Sequence, residues 1–386
     1  MKKILILYAK YGGGHFAAAQ SLQKYYEENY FNVEVKLVDC VEYINKFLST
    51  ITTGAYKQMA KKAPLAWKKV YYNSQKGVLS KISNSANTLM AKKLYNLFKE
   101  FSPNIVISTH PFATQMTSYL KEHKKVDCIL ATILTDFAPH DQWLVGKDYC
   151  NLFFVSNENM KINLIDNNIP VNKIHVTGIP ISNRFSEKFN IDDIYKEHSL
   201  TLDKKVILFF GGGEFGLGKK RTVTILKCLI NYLDTYQIIA ISGRNKKMNN
   251  AFLKIKKELE KNNNEFINDL HIYKYTSNVP ELMSISSLVV TKPGGLTSSE
   301  SLASNLPMLI INPIPGQEEE NAEFLENAGV AVWLKKDDDI NLTIKSLLND
   351  LNKLNEMRAK CSSLGKLNST DNIGKIILDN YKPLNL

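Results

Sequence analysis

Short apolar runs alternate with helix-length segments along the chain. Each run is apolar at successive positions, so that both of its faces carry hydrophobic side chains. This pattern predicts strands that are buried on both sides and joined by helical crossovers, the βαβ arrangement of parallel sheets. The predicted strands are Ile4–Tyr8, Val33–Val38, Ile105–Ser108, Cys128–Leu134, Leu152–Val155, Ile174–Val176, Val206–Phe210, Gln237–Ile241, His271–Tyr275, Leu288–Thr291, Met308–Ile311 and Ala331–Leu334.

The two halves of the chain repeat one motif, a strand that runs into three glycines. Gly12-Gly13-Gly14-His15 follows the first strand, and Gly211-Gly212-Gly213-Glu214 follows the seventh. Between the halves, the segment from Gly178 to Lys205 contains Pro180 and a charged, poorly periodic stretch, which is typical of a connection. We therefore expect an α/β protein with two Rossmann-like domains facing across a cleft.

The expected domain bounds are residues 1–185 and 200–370. A C-terminal helix at about 371–386 is expected to be able to pack back on the first domain. The chain of 386 residues, 44% hydrophobic and 23% charged, is long enough for two hydrophobic cores. This composition excludes disordered, collagen-like and disulfide-scaffold proteins.

Cysteine usage and hydropathy restrict the class of protein further. The five cysteines are scattered without a CxxC pair, which predicts free thiols in a reducing compartment and no zinc cluster. The apolar run after Met1-Lys2-Lys3 is too short for a signal peptide. No segment approaches the roughly 18 apolar residues of a membrane span, so we expect a soluble or peripheral membrane protein.

The net charge of +11 is concentrated in one segment. Tyr43 to Lys99 contains eleven lysines and no acidic residue, whereas the rest of the chain balances 38 basic against 38 acidic residues. Aromatic and aliphatic side chains lie among these lysines. The mixture favours an anionic membrane surface, with a solvated helical face or a nucleic-acid patch as alternatives. The predicted membrane contacts are Lys61, Lys62, Trp67, Lys68 and Lys69.

The first glycine turn is followed by a strongly helix-forming stretch, Phe16 to Leu22, which places His15 at a helix N-terminus. Glycines permit a sharp turn and expose N–H groups to a ligand. The positive end of the helix dipole disfavours imidazolium, so His15 is expected to be neutral and able to act as a base. The alternative is a glycine turn with an incidental capping histidine.

The second turn satisfies GxGxxG with Gly211, Gly213 and Gly216. A dinucleotide site would also place an acidic residue at the end of the next strand. That strand ends in Ser242-Gly243-Arg244-Asn245 instead. The turn therefore favours a general diphosphate-binding loop over the NAD site of a dehydrogenase.

Two further turns carry candidate chemistry for a sugar nucleotide. In Thr291 to Glu300 a strand ends, two glycines turn, and a helix begins. Glu300 either accepts ribose hydroxyls, with the glycine amides on phosphates, or completes a capping box with Thr297. The second turn, Gly316 to Asn321, carries amide and carboxylate groups that suit sugar hydroxyls; a solvated helix start is its alternative.

Taken together these motifs resemble one family, the processive diacylglycerol glucosyltransferases of bacteria and the related plant monogalactosyldiacylglycerol synthases. That family is grouped with the lipid II-forming N-acetylglucosaminyltransferase among inverting GT-B enzymes. The resemblance covers nearly the whole chain. It is carried by Gly12–His15, His110-Pro111, Thr135–His140, Gly243–Asn245, Pro293–Glu300 and Gly316–Glu318.

The resemblance implies roles for individual residues. His15 is implied as the base, Glu300 as the ribose carboxylate, Gln317 and Glu318 as the pair that contacts the hexose, and Val279 as the backbone contact to uracil. The remaining implied donor-binding residues are Gly13, Gly14, Gly211, Gly212, Gly213, Arg244, Gly294, Gly295, Leu296, Thr297 and Asn321. The implied acceptor region contains His110, Asp136 and His140.

The activity that the resemblance implies is transfer of glucose from UDP-glucose to diacylglycerol with inversion, and a processive enzyme is expected to repeat the transfer on the glucosylated product. Anionic membrane lipids are expected partners and nucleic acid is not; the expected location is the cytoplasmic face of the cell membrane. No cofactor or metal is expected, and Asp337-Asp338-Asp339 is interpreted as a helix cap. The alternatives are galactosyl transfer, N-acetylglucosaminyl transfer to a polyprenyl-linked wall precursor, a UDP-sugar epimerase, and a basic membrane- or nucleic-acid-binding protein.

Overall fold

The computed structural model describes residues 1–10, 13–44, 80–212 and 218–381, and in the range 80–212 it describes side chains from residue 90 onward. Its contacts divide the chain into two compact units. The first comprises Met1–Asn183, Pro315–Glu320 and Asn368–Leu386, and the second comprises Arg184–Ile314 and Asn321–Leu367.

The first unit is built on a six-stranded parallel sheet with the order β2-β1-β3-β4-β5-β6. Its strands are β1 (Lys2–Tyr8), β2 (Val33–Asp39), β3 (Ile105–Ser108), β4 (Ile129–Ile133), β5 (Leu152–Val155) and β6 (Ile174–Val176). Its helices are α1 (Gly14–Asn29), α2 (Cys40–Ile44), α3 (Ser80–Phe101), α4 (Pro111–Glu122) and α5 (Glu158–Asp166).

The second unit repeats this construction with the order β12-β11-β10-β7-β8-β9. Its strands are β7 (Lys205–Phe210), β8 (Tyr236–Ile241), β9 (Leu270–Tyr273), β10 (Ser286–Thr291), β11 (Met308–Ile310) and β12 (Ala331–Trp333). Its helices are α6 (Ile191–Glu197), α7 (Lys219–Leu229), α8 (Lys246–Lys261), α9 (Val279–Ile285), α10 (Gly295–Ala303), α12 (Ile340–Asn349) and α13 (Leu351–Leu364). Helix α11 (Gln317–Asn327) begins in the first unit and belongs to the second unit from Asn321 onward.

The prediction of two parallel α/β sheets is confirmed, and every predicted strand is present with bounds shifted by at most two residues. The physical reason is visible in β1. Leu5 and Leu7 pack into one core while Ile4 and Ile6 pack into another on the opposite face of the sheet. A strand that is covered on both faces needs apolar residues at every position, and this produces the continuous runs in the sequence.

The last helix of the described chain, α14 (Ser369–Asp379), packs on α1. Ile373 and Ile377 are fully buried in the same core as Tyr26. The Tyr26 hydroxyl donates to the Gly374 carbonyl over 3.2 Å. The helix that begins beside His15 is thus supported by residues from the other end of the sequence.

The segment predicted as a connection, residues 178–205, contains ordered structure of its own. The second unit begins at Arg184, and α6 lies within the segment with Ile194 buried. Arg184 donates to the Ser277 carbonyl over 3.0 Å and pairs with Glu281. Most of the segment therefore belongs to the second unit, because its few apolar residues have tertiary partners that the local pattern does not reveal.

The structure also addresses the predictions of free thiols and of no membrane-spanning segment. All five cysteines are free and buried, as the scattered spacing predicted. None of the helices in the described ranges combines the length and the apolar composition that crossing a bilayer requires.

Candidate functional site

Both sheets place their glycine turns where the strand order reverses. In the first sheet β2 lies on one side of β1 and β3 lies on the other side. In the second sheet β8 lies on one side of β7 and β10 lies on the other side. Ligands of open parallel sheets bind beyond the carboxyl ends of the strands at such a reversal. The loops after β1 and β3 carry His15 and His110, and the loops after β7 and β10 carry Gly212 and Gly294.

His15 is the second residue of α1, as the helix-forming stretch predicted. Its Nδ1 lies 2.7 Å from the Thr109 carbonyl oxygen and 2.9 Å from Thr135 Oγ1. The Thr109 hydroxyl donates in return to the His15 carbonyl over 2.9 Å. The histidine is therefore held by residues that follow β3 and β4, the two strands next to β1 on that side of the sheet.

These contacts determine which ring nitrogen carries the proton. A carbonyl oxygen only accepts hydrogen bonds, so Nδ1 of His15 is the protonated nitrogen and donates to Thr109. In the neutral ring Nε2 is then unprotonated and has its lone pair available. No hydrogen bond from the described residues reaches Nε2. The arrangement presents an unoccupied base at the reversal point of the first sheet.

The electrostatic environment keeps His15 neutral. Burial lowers its pKa to about 4, and the hydrogen bond to Thr109 opposes this shift. The expected neutral state is thus borne out in direction, although burial and not the helix dipole is the main cause. The His110 ring lies against His15 with a centroid distance of 4.7 Å, and burial followed by the proximity of His15 lowers the pKa of His110.

His110 and His140, both predicted to face the acceptor, each cap a helical segment. Nδ1 of His110 accepts from the Phe112 N–H at the start of α4, over 3.2 Å. Nδ1 of His140 accepts from the Gln142 N–H over 3.1 Å in the same way. Because Nδ1 is an acceptor in both residues, each neutral ring carries its proton on Nε2, so that toward a ligand both can act only as donors.

Asp136 lies directly after Thr135 and is buried. Its carbonyl accepts from the Ser156 hydroxyl over 2.7 Å. Its carboxylate accepts from the Gln317 amide, a contact within the first unit, to which residues 315–320 belong. Asp136, predicted for the acceptor region, and Gln317, predicted to contact the hexose, are therefore hydrogen-bonded to each other.

In the second unit the turn after β7 is shaped by close packing. A Cβ atom on Gly211 would lie 2.7 Å from the Phe252 ring, and Gly212 has a φ of +89°. Both positions thus require glycine. The side chain of Lys292 passes over the turn, with its Cε 3.6 Å from the position that a Cβ on Gly212 would occupy. Lys292 has no ion pair with any residue in the described ranges, so its ammonium group is available to an anion.

The turn after β10 leads directly into α10. Gly294 is the N-cap residue and no side chain caps the helix, so the first N–H groups of α10 are open. The helix begins at Gly295, two residues before Thr297. The capping-box interpretation of Thr297 and Glu300 is therefore wrong, since that motif requires the threonine at the N-cap position. Leu296 and Thr297 belong to the open first turn, where the helix dipole favours an anion.

Glu300 lies one turn further along α10. Burial raises the pKa of its carboxyl group to about 8. No hydrogen bond from the described residues reaches this carboxyl group, although it is mostly shielded from solvent. A carboxyl group desolvated in this way, with no protein partner, is costly to keep for stability alone and is typical of a ligand-binding position.

The polar cluster after β11 forms the start of α11. Gln317 is its first residue, and Asn321 is fully buried with its amide donating to the Pro293 carbonyl over 3.1 Å. The solvated-helix alternative fails for Asn321, whereas Gln317 and Glu318 are both partly exposed. Asn321 thereby ties the start of α11 to the Pro293-Gly294 turn that leads into α10.

Val279 and Arg244 follow β9 and β8 respectively. Val279 is the first residue of α9, so its N–H is among those that lack an acceptor inside the helix. Arg244 is exposed, and its guanidinium group lies 4.8 Å from the centre of the Tyr275 ring. Both residues border the carboxyl edge of the second sheet, as the motif order predicted.

The acidic triplet 337–339 serves a structural purpose. Asp339 is the N-cap of α12 and accepts from the Leu342 N–H over 2.9 Å, and Asp338 accepts from the Lys335 N–H over 2.7 Å. The cap interpretation is thereby confirmed. Among the described residues, no group of three or more His, Cys, Asp or Glu side chains is arranged to hold a metal ion.

Some predicted site residues lie outside the described residues. These are Gly213 of the diphosphate turn and the predicted membrane contacts Lys61, Lys62, Trp67, Lys68 and Lys69. Conversely, the structure gives contacts to three residues that the sequence analysis assigned no role, namely Thr109, Thr135 and Lys292. Thr135 and Lys292 lie inside the Thr135–His140 and Thr291–Glu300 motifs. All three closely follow a strand end, a signal that becomes specific only once the strand order is known.

Comparison with known proteins supports the same architecture. A family model described as monogalactosyldiacylglycerol (MGDG) synthase matches residues 15–181, and the glycosyltransferase family 28 C-terminal domain matches residues 206–373. A processive diacylglycerol beta-glucosyltransferase of Bacillus licheniformis is 30% identical over 370 residues, which cover 96% of this chain and 93% of that protein.

Solved structures share the fold at much lower identity. The UDP-GlcNAc 2-epimerase from Neisseria meningitidis bound to UDP-GlcNAc superimposes with a TM-score of 0.60 at 17% identity, over 98% of this chain and all of that chain. Acinetobacter baumannii MurG gives a TM-score of 0.63 at 13% identity, over 98% of this chain and all of that chain. At these identities the likeness establishes the fold alone.

Proposed function

The chain belongs to the family of processive diacylglycerol beta-glucosyltransferases, and on that premise we propose that it transfers glucose from UDP-glucose to the hydroxyl group of diacylglycerol with inversion at the anomeric carbon. The observation that carries the proposal is His15. It is a neutral histidine at the reversal point of the first sheet, and its Nε2 has no hydrogen-bond partner among the described residues. Inverting transfer to a hydroxyl group needs one such base on the acceptor side.

In the proposed reaction Nε2 of His15 takes the proton of the acceptor hydroxyl. The hydroxyl oxygen forms a bond to the anomeric carbon from the face opposite UDP, and the bond from that carbon to the diphosphate oxygen breaks. The electron pair of the broken bond stays with UDP. With its pKa lowered by burial, His15 is in the base form throughout the neutral range.

The donor is proposed to lie at the carboxyl edge of the second sheet. Glu300 would accept the ribose hydroxyls, and Val279 would contact uracil through its backbone. Gln317 and Glu318 would contact the hexose. Support for Glu300 comes from its shielded carboxyl group, which has no partner among the described residues, and from the failure of the capping alternative.

Charge on the departing diphosphate is proposed to be met without a metal ion. The open N–H groups at the start of α10, the Gly211-Gly212 turn and Lys292, which has no ion pair with the described residues, all lie at the reversal point of the second sheet. Fixed dipoles and a cation at the leaving group can supply the stabilisation that a divalent ion supplies in other transferases. Full activity in the presence of EDTA is the expected result, and activity that required added Mg²⁺ or Mn²⁺ would contradict it.

The acceptor is a membrane lipid, so the proposal includes peripheral binding to the cytoplasmic face of the cell membrane. The acid-free segment from Tyr43 to Lys99 is proposed as the part that contacts anionic lipid. Nucleic acid is not a proposed partner.

Product analysis tests the proposed function directly. Purified protein is incubated with diacylglycerol and, in parallel, with UDP-glucose, UDP-galactose or UDP-N-acetylglucosamine, and the lipids are separated by thin-layer chromatography. We expect a glucosylated lipid with an anomeric configuration inverted relative to the donor. Glycolipid formed only from UDP-galactose would change the sugar, and interconversion of free UDP-sugars without lipid product would replace the transferase by an epimerase.

A further inference from the structure

Thr135 lies next to His15, and neither the resemblance nor the proposed mechanism gives it a role of its own. Its Oγ1 lies 2.9 Å from Nδ1 of His15, the same nitrogen that donates to the Thr109 carbonyl over 2.7 Å. Thr135 is 5% exposed and follows β4, whereas His15 follows β1, so the contact joins loops that are 120 residues apart in the sequence. Such a contact exists only in the folded sheet.

We propose that Thr135 is a positioning residue for the base: its hydroxyl oxygen and the Thr109 carbonyl together hold the Nδ1–H of His15, so that Nε2 faces the acceptor hydroxyl as a lone pair. This rests on the proposed function, since it assumes that His15 is the base. Proton transfer requires the base within hydrogen-bonding reach and in the correct tautomer.

Two contacts to Nδ1 determine the tautomer and the orientation of the His15 ring. The carbonyl fixes the tautomer, because a lone pair on Nδ1 at 2.7 Å from a carbonyl oxygen would be repelled. The hydroxyl adds the second acceptor on the same N–H and fixes the rotation of the ring, since one acceptor alone leaves the ring free to pivot about it. His110 is the titratable group in ring contact with His15, and its Nδ1 is engaged by the Phe112 N–H.

The same two oxygens act on the charge that develops in the reaction. When Nε2 takes the acceptor proton, the ring becomes an imidazolium ion in a site where burial opposes that charge. Nδ1 keeps its proton and continues to donate to both oxygens. Hydrogen bonds from a charged donor are stronger than those from a neutral one, so the interaction with Thr135 strengthens toward the transition state.

The test compares two substitutions that differ by the hydroxyl group. Thr135→Val keeps the shape and removes the acceptor, and Thr135→Ser keeps the acceptor. We expect Thr135→Val to lower kcat by about tenfold or more, a part of the 10²–10⁴-fold that a general base typically contributes. The Kd for UDP should stay unchanged, and Thr135→Ser should restore kcat to within about twofold. Equal kcat for Thr135→Val and the parent would overturn the proposal.

A matched control removes a neighbouring buried hydroxyl that does not touch His15. Thr114 is fully buried and bonds to Ser108 Oγ over 2.9 Å, so Thr114→Val should leave kcat unchanged while affecting thermal stability to a degree similar to Thr135→Val. Comparable losses of kcat in both valine variants would mean that Thr135 supports the fold only, and would equally refute the proposal.

A spectroscopic measurement on the parent protein is independent of activity. Long-range ¹H–¹⁵N spectra of ¹⁵N-histidine-labelled protein report which ring nitrogen is protonated, and His15→Gln identifies the His15 signals by their loss. We expect a neutral His15 protonated on Nδ1. Protonation on Nε2 would overturn the proposed positioning of His15 whatever the kinetics show. The Nδ1–H form in a protein whose His15→Gln variant is fully active would refute His15 as the base and the role of Thr135 with it, whereas a parent protein that forms no glycolipid would refute the proposed function.

Discussion

At the residue scale the two sites use burial to set a protonation state. His15 is neutral because burial lowers its pKa, and Glu300 is protonated over much of the neutral range because burial raises its pKa. Each group has a ligand-facing atom with no hydrogen-bond partner among the described residues. A bound substrate could therefore supply the missing hydrogen-bond partner to each group, and the shifted pKa of each group leads to a prediction about pH dependence.

Replacing His15 by Ala should lower kcat by about a hundredfold or more and leave the Kd for UDP nearly unchanged, because a general base acts on the acceptor and not on the nucleotide. Since the pKa of His15 is about 4, the acidic limb that it produces in kcat/KM should lie near pH 4, with none from His15 between pH 6 and 8. Steady-state kinetics in micelles and a UDP titration provide both measurements.

The control for this substitution is His123→Ala. His123 is exposed and bonds only to the Tyr119 carbonyl one turn earlier in its own helix, over 2.9 Å. Its loss should leave kcat and the Kd for UDP unchanged. A His15→Ala variant that turns over as fast as His123→Ala would reduce His15 to a structural residue.

Glu300 should couple UDP binding to proton release. Ribose hydroxyls donate to the ionised carboxylate, so binding lowers the raised pKa and expels a proton at pH 7. The affinity for UDP should accordingly increase as the pH rises toward about 8. Calorimetry in buffers of different ionisation enthalpy measures the released proton. Glu300→Gln should abolish the release and weaken UDP binding by about 1–3 kcal/mol.

The same substitution should stabilise the unliganded protein. The carboxyl group ionises near pH 4.3 when unfolded but near 8 when folded, so the free energy of unfolding falls as the pH rises between these values. Gln cannot ionise, and the variant should have a higher Tm than the parent at pH 8 and a similar Tm at pH 4. A lower Tm at pH 8, with UDP affinity intact, would indicate a structural carboxylate.

At the element scale the position of His15, the proposed base, depends on how α1 is packed. The start of α1 carries His15, and its later residues Tyr25 and Tyr26 pack against α14. Gly374 is the point of closest approach, because a Cβ at this position would overlap the Tyr25 ring. The helix at the end of the described chain therefore helps to set the position of the base.

Gly374→Ala should lower the free energy of unfolding by about 1–3 kcal/mol, the usual cost of overpacking a core. It should also lower kcat more than it weakens UDP binding, because the strain falls on α1 in the first unit. Denaturant unfolding and kinetics on the same preparation are the measurements. Asn372→Ala on the exposed face of α14 is the control and should change neither quantity; a neutral Gly374→Ala would show that α14 tolerates displacement.

At the scale of the whole molecule the charge distribution makes a prediction about the membrane. The eleven lysines between Tyr43 and Lys99 account for the net charge of +11. Replacing Lys61, Lys62, Lys68 and Lys69 by Ser should release the protein from anionic vesicles, since each contributes about 1 kcal/mol near the lipid surface. Binding of the parent should weaken with salt because exposed charges are screened within about 10 Å at 0.1 M. Vesicle sedimentation across a salt series measures both.

The matched control removes the same charge elsewhere. Lys246, Lys247, Lys254 and Lys257 are exposed on α8 of the second unit, and their replacement by Ser should leave vesicle binding intact. Activity on diacylglycerol in detergent micelles should survive in both quadruple variants. Equal sedimentation of the two variants with anionic vesicles would exclude the acid-free segment as the docking surface.

The sequence by itself determined the strands, the glycines that follow β1 and β7, and a helix start within one residue of His15. Each of these features depends on interactions of residues that are close together in the sequence. A strand covered on both faces must be apolar at every position, and a sharp turn with a positive φ, as at Gly212, requires glycine. Signals of this kind lie within a few residues of the feature that they predict, so a single sequence suffices to find them.

Only the tertiary structure decided what surrounds the candidate groups. The partners of His15 come from positions 109 and 135, and the support of α1 comes from residue 374. The capping box at Thr297 satisfied the local rule and was nevertheless wrong, because Gly294 and Gly295 allow α10 to begin earlier. Parallel strands bring together loops that are many residues apart, and strand order is set by packing of the whole sheet, which no local pattern encodes.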